Sequence, residues 1–183
     1  WMPFTSVQYN FIENPARLFF MNASMKNLPV AGYHAYKNGK AFMDIRLLSF
    51  LKVQYQDGPE MDLAETVTFF NDMCCMAPAT LIDRRIQWAP IDNHLVQASF
   101  TNQGLRVIAM LQFNDQGQLI NFLSTDRYNA DAGKRLPWST PLKDYKTING
   151  YNISNSADAV YSYPQGDLIY GTFKLRELEY NGK

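Results

Sequence analysis

Apolar and polar residues alternate through much of this chain, and turn-forming residues interrupt the alternation at short intervals. Phe4 to Phe11 and Ala16 to Ala23 read as the first strands, by their run of aromatic and apolar positions. Val30 to Leu48 holds Asn38-Gly39 between two such runs, a strong hairpin signal because both residues tolerate positive φ. LKVQYQ, closed by Asp57-Gly58, is another strand. After Trp88 the alternation resumes with Val96, Ala98 and Phe100, then Leu105, Val107, Ala109, Leu111 and Phe113, then LINFL. TNQG and NDQG turn the chain between them, which predicts a three-strand antiparallel meander. Two late strands are expected near Ala157 to Tyr163 and over Asp167 to Tyr180, split by Pro164-Gln165-Gly166.

Several strands are apolar on both faces. Phe19 and Met21 oppose Leu18 and Phe20, and Ile120 and Phe122 oppose Leu119 and Leu123. One face must pack on a helix, and the other must line a second apolar space or be covered. A curved antiparallel sheet or half-open barrel built from hairpins meets that demand. A flat two-layer sandwich is the alternative.

One stretch has helical periodicity. Over Pro59 to Met76, Leu63, Val67, Phe70 and Met73 or Cys74 recur at spacings of three and four. Pro59 suits a first turn, Glu60, Asp62 and Glu65 complement the positive end of the helix dipole, and Pro78 ends the helix. Cys74 and Cys75 fall in its last turn. Neighbouring helical residues diverge by about 100°, so the two thiols do not face each other. No CxxC pair or histidine cluster accompanies them, so no metal site is read here. Between Met73 and Met76 they read as core filler.

Composition narrows the function classes. A chain of 183 residues suits one domain over 1–183, and 46% hydrophobic against 19% charged residues is ordinary for a globular protein. Seventeen Lys+Arg balance seventeen Asp+Glu, so the chain lacks the basic surface that nucleic-acid binding requires. No apolar run is long enough to span a membrane, and no cofactor motif is present. The chain begins inside a strand with neither an initiating Met nor a signal sequence, so a further N-terminal segment is expected upstream.

Candidate chemistry sits in two stretches. Thr125 to Thr140 is the longest connection without a repeating pattern, and it carries Asp126, Arg127, Tyr128 and Trp138. An Arg fork beside aromatics can hold a carboxylate or phosphate, or can simply anchor a loop. The second stretch, 83–94, holds Asp83, Arg84, Arg85, Trp88, Asp92 and His94. Histidine near a carboxylate suits a general base, but Asp92-Asn93 also reads as the turn before the next strand. Among the motifs sought, no GxSxG, HExxH or P-loop occurs.

W-x-P-F-x-x-x-Q-Y at Trp1 to Tyr9, then NPARLFF, APATLI, IQWAPID, FNDQG, DRY and PW follow one another in order. In these motifs the chain resembles an uncharacterised bacterial family of envelope-type proteins. The resemblance implies a fold like that of the LolA-type lipoprotein carriers, with helices over a curved sheet that surrounds an apolar cavity. It implies a location in the cell envelope and no catalytic residue.

The resulting expectation is a β-rich α+β domain that is not an enzyme. It binds an apolar or lipid-like ligand in the concavity of its sheet, with Arg127, Trp138, Trp88, Tyr128, Asp126 and His94 as ligand-binding candidates. A hydrolase using the 83–94 and 125–140 regions, or a structural or partner-binding module, are the alternatives.

Overall fold

The computed structural model describes residues 1–182. The chain is mainly antiparallel β-sheet with one α-helix, as expected, and its strands divide among a five-stranded sheet, a seven-stranded sheet and a two-stranded hairpin, none closed into a barrel. Two compact units are present: Trp1–Phe69 with Asn102–Leu105, and Phe70–Thr101 with Arg106–Lys183.

The first unit contains strands β1 (Phe4–Phe11), β2 (Ala16–Met25), β3 (Leu28–Lys37), β4 (Lys40–Leu47) and β5 (Leu51–Asp57), paired in chain order. Each is joined to the next by a tight turn. Asn38 and Gly39 take φ of 52° and 73°, as a type I′ turn requires. Gly39 is needed twice over, because a Cβ there would also lie 2.8 Å from Gln103 Cβ. Helix α1 (Pro59–Met76) contributes its residues up to Phe69 to this unit.

One face of the five-stranded sheet meets that helix. Tyr36 is fully buried there, tilted against Phe69 with ring centres 5.7 Å apart. Its hydroxyl accepts from Asn102 Nδ2 at 2.6 Å and lies 3.0 Å from Thr66 Oγ1. Arg17, 7% exposed, pairs with Glu65, 1% exposed, at 3.1 Å and donates to Gln8 Oε1 at 2.9 Å. Asp62 accepts from the Ala41 amide at 2.7 Å and from Lys40 Nζ at 2.8 Å.

The helix departs from the single apolar stripe expected of it. Val67 and Phe70 are fully buried, but Leu63 is only half-buried. Asp62, Glu65, Thr66, Thr68, Asn71 and Asp72 are buried as well. Hydrophobic spacing therefore did not mark the covered side, because polar positions with specific partners are enclosed too.

The second unit contains the seven-stranded sheet. Its strands are β6 (Ile86–Pro90), β7 (Leu95–Asn102, of which Asn102 belongs to the first unit), β8 (Leu105–Phe113, of which Leu105 does), β9 (Leu119–Ser124), β12 (Trp138–Ile148), β13 (Tyr151–Tyr163) and β14 (Gly166–Lys174). The order across the sheet is β14-β13-β12-β9-β8-β7-β6. β7 to β9 form the expected meander. Phe70 packs between Phe100, stacked at 5.4 Å, and Phe122, edge-on at 5.7 Å. Tyr180 donates its hydroxyl to the Met76 carbonyl at the helix end.

Two strands and a small hairpin were not foreseen. Thr125 to Thr140 is not one open connection: it holds the two-residue strands β10 (Tyr128–Asn129) and β11 (Lys134–Arg135) and the start of β12. β12 was hidden by Pro141 and by Lys143, Asp144 and Lys146, which break the alternation. Its ladder with β13 passes over Thr140 and Pro141, where a proline cannot donate. β6 is a short edge strand that ends on Pro90, a position where proline is tolerated. β13 begins earlier than expected, at Tyr151, and β14 ends at Lys174 rather than running to Tyr180.

Cys74 and Cys75 are free, the first buried and the second half-buried. Burial pushes both thiols up, away from the reactive thiolate. The core reading of the pair holds.

Candidate functional site

The most distinctive surface lies on the first unit. In the antiparallel register, Val7, Phe20, Tyr33, Asp44 and Tyr55 share one side of the five-stranded sheet with Tyr9, Leu18, Ala35 and Phe42. This is the side opposite Tyr36 and Arg17. Four rings form a continuous row across four strands. Phe20 stacks on Tyr33 at 4.8 Å, Tyr33 meets Phe42 edge-on at 5.4 Å, and Phe42 stacks on Tyr55 at 6.3 Å. With strands about 4.8 Å apart, the row is about 14 Å long. Val7, Tyr9, Phe11, Phe20, Val53 and Tyr55 are all exposed. Lys52 Nζ sits 4.5 Å from the centre of the Tyr55 ring, at the β5 end of the row. Aromatic pairs of this kind normally lie under a covering layer, and a contiguous exposed apolar patch marks an interaction surface.

These residues were not among the expected site residues. Part of the signal for them was present in a two-faced strand: Leu18 and Phe20 opposite Phe19 and Met21 require two apolar environments. Strand register, which joins the separate residues into one row, appears only in the folded sheet.

The expected ligand-binding residues lie in the second unit, in two places. Asp126, Arg127, Tyr128 and Trp138 come together. Arg127 Nη1 donates to the hydroxyls of Tyr161 at 2.7 Å and Tyr170 at 3.2 Å, and the guanidinium lies 4.6 Å from the Trp138 ring centre. Trp138 is 4% exposed and donates its Nε1 proton to the Tyr170 hydroxyl at 3.0 Å. The Tyr161 hydroxyl donates to the Tyr128 carbonyl at 2.9 Å, and Tyr161 stacks on Tyr170 at 5.2 Å. Asp126 Oδ2 accepts from the Ile108 amide at 2.8 Å, which extends the β8–β9 ladder by one bond. The cluster clasps the 125–137 connection to β12, β13 and β14.

Trp88 and His94 stand elsewhere. Trp88 is exposed on the edge strand β6, four strands from β12, or about 19 Å across the sheet. The His94 carbonyl accepts from the Phe113 amide at 2.7 Å, near where β9 begins, whereas Trp138 pairs with Ser124 at the far end of β9. The imidazole Nε2 is 2.9 Å from Asp115 Oδ1. Asp92 Oδ1 accepts from the His94 amide at 2.8 Å, which is the turn role read from the sequence. Asp92, Asn93, His94, Leu95 and Gln112 line a shallow surface cleft. Asp83 is taken up by Arg85, whose guanidinium holds its carboxyl below the usual carboxylate range. Among the described residues no group of three His, Cys, Asp or Glu could hold a metal ion, and no helix is long and apolar enough to cross a membrane.

A family described as a family of unknown function (DUF6544) matches residues 1–173. No curated protein matches the chain. Among solved structures, the chain is similar to a LolA superfamily protein from Nitrosomonas europaea. That likeness covers 97% of this chain and 85% of the other, at 10% identity and a TM-score of 0.36.

Proposed function

We propose that the chain, which belongs to this family of unknown function (DUF6544), is a non-enzymatic domain that binds an apolar or lipid-like ligand. The observation that carries the reading is the open aromatic row Phe20–Tyr33–Phe42–Tyr55. The helix-facing side of the same sheet is taken up by Tyr36, Arg17 and Ala41 with their helix partners. The ligand is therefore assigned to the open side, where a chain of methylenes lying across the rings would remove apolar area from water on both partners. Lys52 at the end of the row suits an anionic head group. In this reading the Arg127–Trp138 cluster is a packing device and not a head-group site. The hydrolase alternative is set aside because Trp88 lies on β6, four strands from the β12 that carries Trp138, so its two stretches do not converge. A cell-envelope location goes with the reading.

The test is titration with a solvatochromic fatty-acid probe. Saturable binding with a blue shift is expected for the wild type. The exposed double substitution Phe20→Ser with Tyr55→Ser should weaken it about thirtyfold, since each truncation removes on the order of 1 kcal/mol of apolar contact. A wild type that never binds the probe would make the row a protein-docking surface instead.

A further inference from the structure

One end of the five-stranded sheet differs in character from the rest of the first unit. The β2–β3 turn and the β4–β5 turn lie side by side there, tied by the Leu48 amide donating to the Pro29 carbonyl at 2.8 Å. Met25 and Leu28 flank the first turn, and Phe50 and Leu51 follow the second; all four are exposed, Phe50 at 69%. Turns at sheet ends are ordinarily polar. In the second turn Leu48 and Ser49 both take left-handed φ, 54° and 64°. That conformation is cheap for Gly or Asn and costly for leucine. Such an outlier points from conformation to function.

The charge at this end is one-sided. Residues 22–30 and 46–53 include Lys26, Arg46 and Lys52 and no Asp or Glu. Arg46 is chelated by Asp44, at 2.8 Å and 3.1 Å, which leaves the exposed Lys26 and Lys52 as the net charge. The opposite end of the sheet shows the contrast. Residues 11–15 and 37–40 with Asp57 mix Glu13 and Asp57 with Lys37 and Lys40, and there Asn38-Gly39 makes the turn. Apolar side chains at a turn tip, ringed by lysines alone, match the boundary of a bilayer whose surface is negative: the apolar groups enter the acyl region and the lysines stay at the head groups.

We propose that this end of the sheet docks on the surface of a lipid bilayer containing anionic phospholipids, with Leu28 and Phe50 inserted and Lys26 and Lys52 at the head groups. The proposal shares only Lys52 with the ligand reading, through its contact with Tyr55, and its inserted residues Leu28 and Phe50 and its Lys26 lie outside the aromatic row, so it does not rest on that reading. It adds a surface at which an apolar ligand is collected or delivered.

Co-sedimentation with vesicles tests it. Vesicles of phosphatidylcholine and phosphatidylserine at roughly 7:3 should bind the wild type, and rising salt should weaken the binding because exposed charges are screened. Vesicles of phosphatidylcholine alone should bind it far less. Lys26→Gln with Lys52→Gln should lower affinity for the anionic vesicles about fivefold per lysine. Leu28→Ser with Phe50→Ser should lower it at least about tenfold, with an unchanged thermal melt showing that the variant is folded. The Phe20→Ser, Tyr55→Ser protein should still bind vesicles within about twofold while losing the fatty-acid probe, which separates failure of this proposal from failure of the ligand reading. Absence of wild-type binding to the anionic vesicles, equal binding to both vesicle types, or full binding by the Leu28, Phe50 variant would overturn the proposal.

Discussion

Arg17 and Glu65 show how much a single buried contact decides in this chain. Both are nearly inaccessible, and they meet at 3.1 Å across a gap of 48 positions in sequence. A charge enclosed this way is tolerated only with its counterpart and further hydrogen bonds, here including Gln8. Glu65→Ala removes the carboxylate and keeps the guanidinium buried, so it should cost about 3–5 kcal/mol in urea unfolding. A loss below about 1 kcal/mol would mean that the side chain escapes to water. The sequence alone presents Glu65 only as negative charge near the positive end of the helix dipole. Nothing local announces that a helical glutamate will be enclosed, because its partner comes from another element. The cysteines are the opposite case: their neighbours, spacing and helix position already identified Cys74 as core.

At the scale of elements, turn chemistry was the most legible feature. Asn38-Gly39, Asn114 to Gly117 and Asp57-Gly58 each lie where one element gives way to the next. Elements whose character depends on neighbours were not legible. β12 carries a proline and three charged residues, and it is a strand because β9 and β13 pair on either side of it. The helix was legible in its bounds, Pro59 to Met76, but not in its faces. Phe70 is the residue on which its second part turns, fully buried between Phe100 and Phe122. Phe70→Ala should cost about 3–5 kcal/mol, the range for truncating a core aromatic, with the denaturant slope unchanged. A cost under about 1 kcal/mol would show that neighbouring rings collapse into the space.

The whole molecule should be stable over a broad pH range with a defined limit at each side. Arg85 beside Asp83, and Lys143 with Thr172 beside Asp158, hold those carboxyls below the ordinary value. Stability from a lowered carboxyl is complete above its unfolded pKa, about 3.9, and is lost as pH falls through the folded value. Burial raises the Tyr36 hydroxyl and pushes Tyr145 up to about 12. Their contribution is complete below the unfolded tyrosine value of about 10 and is lost as pH rises through the folded values. Thermal melts should therefore be level between about pH 5 and 9 and fall on either side. A midpoint that climbs steadily below pH 4 would contradict the acid limb. The alternation of apolar residues, the hairpin turns and the helix-terminating prolines already determined a β-rich, antiparallel chain with one helix, because these preferences act over a few residues. The division into two sheets, the side of the first sheet that the helix covers and the alignment of Phe20, Tyr33, Phe42 and Tyr55 into one row were decided only by tertiary structure. Register and burial join residues far apart in sequence, and no local preference specifies them.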